Sequence, residues 1–228
     1  MRKRSRERLH GSLAPVLTPP TLSAIHDLNS DYIELLIANR DVPQLSASLP
    51  PTVLAGLAEL NKAARRALAA CPFALYSLGI EHQDFWRACG GFMVAEETPR
   101  YQSSMSLSAV TSFGISALFF AWHVASAQRM AAKVFFAMPD AALDALARLR
   151  LWELQRMAAE RSMLMKPRWP TNNGFWPDLV RFAARGDIER LNTTQLLGSQ
   201  LIAADLRAHA ASRSARSSVS TGALLPIP

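Results

Sequence analysis

The chain has 228 residues, of which 50% are hydrophobic and 19% are charged, and this composition excludes a generally disordered protein. Its formal net charge of +7 permits contact with an acidic partner such as nucleic acid or anionic lipid. The two cysteines, Cys71 and Cys89, are too few for a disulfide scaffold and cannot form a zinc site alone. A reducing compartment is therefore the default, and we expect the protein to be cytoplasmic.

Both ends of the chain are basic and typical of flexible segments. Residues 1–20 begin MRKRSRER and close on two prolines, and residues 212–228 are rich in serine and arginine. Ends of this kind solvate a chain more often than they form specific sites. No apolar segment of sufficient length follows the basic start, so no secretion signal is visible. We predict a basic flexible arm over 1–20 and a disordered tail over 212–228.

Between the ends, apolar residues recur almost throughout at the three- and four-residue spacing of helices. Thr21 is placed to cap a first helix. Pro50 and Pro51 suit the first turn of a second helix, because proline lacks an N–H that this turn would leave unpaired anyway. Asn61 can cap a short basic helix over 62–70. The pattern predicts an all-α fold.

One segment occurs twice along the chain. Residues 49–70 read LPPTVLAGLAELNKAARRALAA and residues 138–159 read MPDAALDALARLRLWELQRMAA, with proline second and leucines in the same register. Further along each copy comes a Phe-Trp pair, ending in Trp86 and in Trp176. Helices rich in alanine and leucine can match by chance, but a rare dipeptide at a matching distance favours duplication. We expect each tryptophan to anchor the core of its copy.

The region between the copies is uncharged over 102–128 and largely apolar over 110–127, which is long enough to span a bilayer. Its many serines, and the Arg129 and Lys133 that follow, favour a buried helix over a membrane span. We therefore predict two tandem copies of a small helical module, a pseudo-dimer that shares a long central helix. Its parts are a first module over 21–110, the shared helix over 111–136 and a second module over 137–211.

A short uneven stretch precedes the Phe-Trp pair in each copy, over 71–76 in the first and 162–166 in the second. Either stretch can form a short strand, and two such strands can pair across the pseudo-dimer. Short apolar runs do not distinguish a strand from a helix, so both possibilities stay open.

Four segments carry a resemblance to a known family. In the first copy these are residues 25–29 (IHDLN) and 49–73; in the second they are 186–191 (GDIERL) and 198–201 (GSQL). On these residues the chain resembles the D subunit of the flagellar transcriptional master regulator, a small helical bacterial protein that acts with a C subunit on promoter DNA. Between them the two copies match about residues 21–206 of this chain.

The resemblance implies a bacterial regulatory protein that works through a protein partner, which is either another regulator subunit or a second copy of itself. The family member is a single module that dimerises, so this chain departs from the family by carrying two copies. Cys71 aligns with a family cysteine that can bridge two subunits, which makes it a candidate for an interchain disulfide, whereas Glu160 holds the matching position in the second copy. A buried, inert thiol is the alternative for Cys71.

No catalytic motif is visible in the sequence. The five histidines are scattered away from any nucleophile motif, and no glycine-rich loop can cradle a phosphate. We expect a protein that is not an enzyme, without cofactor, metal or small-molecule substrate.

Basic side chains in the second copy form a candidate nucleic-acid-binding surface. They are Arg148, Arg150, Arg156, Arg161, Lys166 and Arg168. Exposed arginines on a helix can neutralise phosphates, although the interspersed acids also fit a merely solvated face. The sequence therefore predicts a regulatory protein that acts by protein–protein interaction, with DNA binding as a further candidate. The alternatives are a structural or adaptor protein without a DNA role and, third, a membrane-associated protein.

Overall fold

The computed structural model describes residues 17–40, 49–80, 86, 108–161 and 165–221, with the backbone alone over 159–161 and 213–221. Over this part of the chain there are nine helices and one pair of two-residue strands. In chain order these are α1 (Pro19–Ala38), α2 (Pro51–Glu59), α3 (Lys62–Ala69), β1 (Tyr76–Ser77), α4 (Ala109–Ala127), α5 (Arg129–Phe136), α6 (Asp140–Ala147), α7 (Leu151–Arg161), β2 (Lys166–Pro167), α8 (Phe175–Arg185) and α9 (Ile188–Thr221). The fold is all-α, as the helical spacing predicts.

The first helices begin close to where the sequence places them. α2 starts at Pro51, and the Asn61 side chain caps α3 by accepting the backbone N–H of Ala64 at 2.9 Å. α1 starts earlier than predicted, because Thr18 holds the N-cap position and two prolines follow it. Thr21 instead lies in the first turn, where its hydroxyl contacts that of Thr18 at 2.6 Å.

The buried amide of Asn29 fixes α1 to the segment that follows α3. Its Nδ2 donates to the carbonyls of Ala69, Cys71 and Phe73, at 3.1, 3.3 and 2.9 Å. Its Oδ1 accepts the backbone N–H of Leu75 at 2.9 Å. A single side chain thereby forms hydrogen bonds with four backbone groups that have no partner within a helix or strand. These bonds fix the path of the chain from α3 to β1.

The two strands pair with each other in antiparallel fashion. Tyr76 lies opposite Pro167 and Ser77 lies opposite Lys166. Of the two possibilities left open for these stretches, the strand is thus the correct one, although each strand overlaps its stretch only at the last residue, Tyr76 or Lys166, and extends one residue beyond it.

The single central helix predicted over 111–136 is wrong. The helix breaks at Gln128, whose φ of −141° and ψ of 69° are not helical, so that α4 and α5 are separate. Neither proline nor glycine marks the break in the sequence. At the break, the side chain of Gln128 contacts α1: its Oε1 accepts a hydrogen bond from the Thr21 hydroxyl at 3.3 Å.

α4 is buried along one side and exposed along the other. The buried side packs on α1, α6 and α7 through residues that include Phe113, Ala117 and Leu118, while Ser112 and Ser116 are exposed. By length and composition α4 alone among the described helices can cross a membrane, and 44% of its most apolar window is buried inside the protein. Core helices of soluble proteins share this property, so α4 by itself does not indicate a membrane span.

The last two helices complete the core. α8 packs on α2, α3 and α9, and its Trp176 is completely buried, with the indole N–H donating to the Arg168 carbonyl at 2.7 Å. Trp86 is partly buried against the same core. α9 continues to Thr221, so residues 212–221 of the predicted tail extend a helix, whereas 222–228 and 1–16 lie outside the described residues.

Several relations between elements match those of two copies related by a two-fold axis. α1 and α4 run antiparallel, since Thr21 meets Gln128 at one end and the rings of Tyr32 and Phe113 lie 5.7 Å apart at the other. α1 packs on α2 and α3, as α4 packs on α6 and α7. These relations agree with a duplication, which itself stays a prediction.

Candidate functional site

The acids of α6 are occupied by the cations of α5. Arg129 reaches Asp144 at 2.7 Å and Asp140 at 3.1 Å, and Lys133 reaches Asp140 at 2.7 Å. The hydrogen bond from Lys133, with that from Arg129, holds the pKa of Asp140 below its usual value. Exposed pairs of this kind add little stability, but they leave no free carboxylate on α6 for the arginines that follow.

Those arginines lie together with two apolar side chains on a surface that we call the basic corner. It consists of Arg148, Arg150, Leu151, Trp152 and Arg156. Arg148 and Arg150 flank the turn between α6 and α7, and both are exposed. Neither makes an ion pair with any described residue. The next acid, Glu153, accepts the backbone N–H of Arg150 at 2.7 Å, which uses its carboxylate to cap α7. The corner therefore presents two arginines whose charge is not paired by any residue that the structure describes.

The same corner exposes apolar surface. Leu151 is 54% exposed, and the half-buried Trp152 carries the guanidinium of Arg156 5.8 Å from its ring centre. A single exposed leucine is ordinary on a protein surface. Leu151, however, lies between Arg150 and Trp152 in the chain. A leucine beside arginines and an aromatic ring is typical of binding surfaces, which are enriched in arginine and aromatic residues.

The remaining predicted site residues do not belong to the basic corner. Arg161 ends α7, and its side chain lies outside the described part. Lys166 is exposed in β2. The candidate surface is therefore divided between the basic corner and the strand pair.

The expectation that Arg168 is exposed and free to bind phosphate is wrong. Its side chain is 4% exposed and points inward, where Nη2 donates to the Phe136 carbonyl at 2.9 Å and Nε to the Tyr76 carbonyl at 3.4 Å. Asp205 lies 4.0 Å from Nη1. A guanidinium carries five N–H donors, so it can be buried only where several acceptors converge. Arg168 is a structural residue that ties β1, α5 and α9 together.

Sequence reasoning missed this role because no local signal reveals it. Arg168 stands in a basic stretch beside Lys166, which by itself indicates a solvated segment. The acceptors come from distant parts of the chain and converge only when β1 pairs with β2. Asp205 was missed for the same reason, and it accepts the indole N–H of Trp169 at 2.9 Å.

Cys71 is completely buried, so the candidate interchain disulfide at this residue is wrong. Its Sγ donates to the Leu68 carbonyl at 3.4 Å, and burial raises the pKa of the thiol well above its usual value. A thiol that is neither accessible nor ionised cannot attack a disulfide in another chain. The buried, inert thiol is the correct alternative. Cys89 lies outside the described residues.

Over the described ranges, no three side chains among histidine, cysteine, aspartate and glutamate come together in a group that could hold a metal ion. His26 has the most unusual environment of the described histidines. Its Nε2 is buried without a hydrogen-bond partner among the described residues, and burial lowers its pKa despite the neighbouring Asp27. This arrangement suits a partly buried structural histidine rather than a ligand.

Comparison with known proteins adds no relative. No family model matches the chain, and no curated protein or solved structure matches it either. The resemblance to the flagellar D subunit thus rests on the sequence segments alone.

Proposed function

We propose that this protein is a regulatory protein without enzymatic activity, and that it acts by binding an acidic protein partner through the basic corner. The observation that carries the proposal is the pair of exposed arginines, Arg148 and Arg150, which form no ion pair within the described part of the chain and lie beside the exposed Leu151. An acidic partner would supply the carboxylates that α6 and Glu153 do not.

Charge and burial favour a protein over DNA as the first partner. A surface that only neutralises phosphates gains nothing from an exposed leucine, since phosphate contacts are made by basic and polar groups. A protein partner can cover Leu151 and Trp152 while its acids meet Arg148 and Arg150. Such a contact combines an apolar centre with a charged rim, as most protein interfaces do.

The resemblance to the flagellar D subunit supports the regulatory part of the proposal. We also propose that the chain is a covalent pseudo-dimer made of two copies of that subunit's module. The antiparallel α1 and α4, and the strand pair in which each copy contributes one strand, support this arrangement. A covalent pseudo-dimer needs no disulfide to hold its halves together, which agrees with the burial of Cys71.

Site-specific photocrosslinking in the native host tests the proposal. A photoreactive phenylalanine analogue replaces Leu151, and a matched variant carries it at Leu196, which is 62% exposed on α9. We expect a discrete protein adduct at 151 that is absent at 196. The adduct should disappear when Arg148→Glu and Arg150→Glu are added, because reversing charges repels an acidic partner.

DNA is the second candidate partner, favoured by the same two arginines. A fluorescent 30-base-pair duplex of random sequence serves as the probe, with anisotropy measured over a range of salt concentrations. Binding that weakens steeply with salt and is lost in the charge-reversed variant would favour DNA. Such binding without a protein adduct at 151 would overturn the proposed protein partner.

A further inference from the structure

A cleft of about 290 Å³ lies between the strand pair and the C-terminal half of α9. Its polar lining comes from Ser77, Lys166, Arg168, Asp205 and His209, and Trp169 forms part of the wall. Ser77 and Lys166 lie directly opposite each other in the strand pair. The cleft is separate from the basic corner, whose residues do not line it.

The cleft has an excess of positive charge. Lys166 is exposed and makes no ion pair with a described residue, while the buried guanidinium of Arg168 is held in place by two backbone carbonyls. Asp205 is the one carboxylate in the lining, and it already accepts the indole N–H of Trp169 at 2.9 Å. Two cations, the exposed Lys166 and the fixed Arg168, thus line the cleft with a single acid, and one oxygen of that acid already accepts the Trp169 N–H.

Backbone strain lies in the wall of the same cleft. Trp169 has φ of +49°, in the left-handed region that side chains other than glycine rarely adopt, and Pro170 follows it. The strain is held by packing: the indole ring lies edge-on to Phe175 at 4.9 Å and to Phe73 at 5.6 Å. Strained residues persist where the surroundings determine them, and they concentrate at ligand sites.

We propose that this cleft binds the phosphate group of a small molecule, with Lys166 as the main contact. A lysine ammonium binds phosphate as a point charge, and the buried Arg168 adds a fixed positive field behind it. The volume accommodates a phosphate and the first atoms attached to it. This site is independent of the proposed partner, and it would make the chain responsive to a phosphorylated metabolite that binds as a ligand and not as a substrate.

Isothermal titration at constant ionic strength tests the site, with inorganic phosphate, glycerol 3-phosphate and acetate as separate probes. We expect saturable binding of both phosphate probes and none of acetate. Lys166→Glu and Lys166→Gln should weaken the binding of phosphate by about tenfold or more, because a lost charge-assisted contact contributes over about 1.4 kcal/mol. The matched control is Lys62→Glu, an exposed lysine on α3 outside the cleft, and it should stay within about twofold of wild type.

Three results would overturn the site. They are an absence of saturable binding of either phosphate probe up to about 20 mM, equal binding of acetate, and an equal loss in the Lys62 and Lys166 variants, which would indicate non-specific attraction to a basic protein. Near-ultraviolet circular dichroism of each variant verifies that it is folded. If only the ester binds, the ligand is a phosphate monoester rather than free phosphate.

Discussion

Gly198 of α9 faces the ring of Phe73 so closely that a β-carbon there would overlap it. The same β-carbon would lie 2.9 Å from Cε2 of Phe175. Phe73 follows α3 and Phe175 begins α8, so the last helix crosses both parts of the aromatic core at this one glycine. The reason for glycine here is space, since the residue lies within a regular helix.

Gly198→Ala should therefore destabilise the protein, although alanine is the better helix former. Overpacking a close-packed core typically costs about 1–3 kcal/mol, which exceeds the gain of about 1 kcal/mol from helix propensity. Urea denaturation measures the free energy of unfolding. Gly174→Ala is the control. A β-carbon at this position would have its nearest neighbouring atom 3.7 Å away, so the stability of the variant should differ little from that of wild type. A Gly198→Ala protein as stable as wild type would show that α9 does not cross the core as described.

Asn29→Ala should be more damaging than its size suggests. The change removes the partner of three carbonyls and of the Leu75 N–H, all of which stay buried. A buried polar group left without a hydrogen-bond partner costs about 1–3 kcal/mol if the surrounding structure does not rearrange. We therefore expect the free energy of unfolding to fall by about 3 kcal/mol or more. Thermal and urea denaturation test this loss. Asn192→Ala, on the exposed side of α9, is the matched control and should be neutral.

Arg168→Ala should destabilise the fold, whereas Arg148→Ala should not. The first change leaves the Phe136 carbonyl without its donor and deprives Asp205 of its neighbouring charge. We expect a loss of about 2–4 kcal/mol for Arg168→Ala and less than about 0.5 kcal/mol for Arg148→Ala. Equal stability of the two variants would show that Arg168 does not have the buried structural role described above.

The sequence predicts the local features of this fold well. Prolines at the start of α2, Asn61 before α3 and the Trp176 anchor each act over a few residues, and each lies where the pattern places it. The pairing of β1 with β2 could also be anticipated, because the predicted repeat places both short stretches at equivalent positions. Propensity and periodicity suffice for features of this range.

Features that depend on distant partners could not be predicted in this way. Arg168 belongs to a basic stretch, and only the carbonyls of Tyr76 and Phe136 explain its burial. The break at Gln128 has no proline or glycine to announce it. In the candidate site, the exposure of Arg148 and Arg150 follows from their place beside a turn. That no described acid pairs with them depends on how the cations of α5 use the acids of α6.

Stability should fall as the pH drops below the ordinary histidine pKa of 6.5, and His26 should account for part of the fall. Burial lowers the pKa of His26 in the folded protein, so the unfolded chain binds more protons between the lowered pKa and 6.5. The contribution is present above pH 6.5 and is lost as the pH falls towards the lowered pKa. His26→Gln should reduce this dependence of the melting temperature on pH.

The matched control for the pH experiment is His123→Gln, because that side chain is exposed on α4. It should keep the wild-type decline. If His26→Gln and wild type lose stability in parallel between pH 7.5 and 5, the buried environment described for His26 is not correct.

The central claim is that the basic corner binds an acidic protein, and quantitative affinity purification from the native host tests it most directly. Three tagged chains are compared: wild type, Arg148→Glu with Arg150→Glu, and a control with the same charge change at Arg185 and Arg207, which are exposed on α8 and α9. We predict a specific acidic protein that falls by about tenfold or more with the corner variant and persists with the control. Proteins recovered equally by all three chains would contradict the claim.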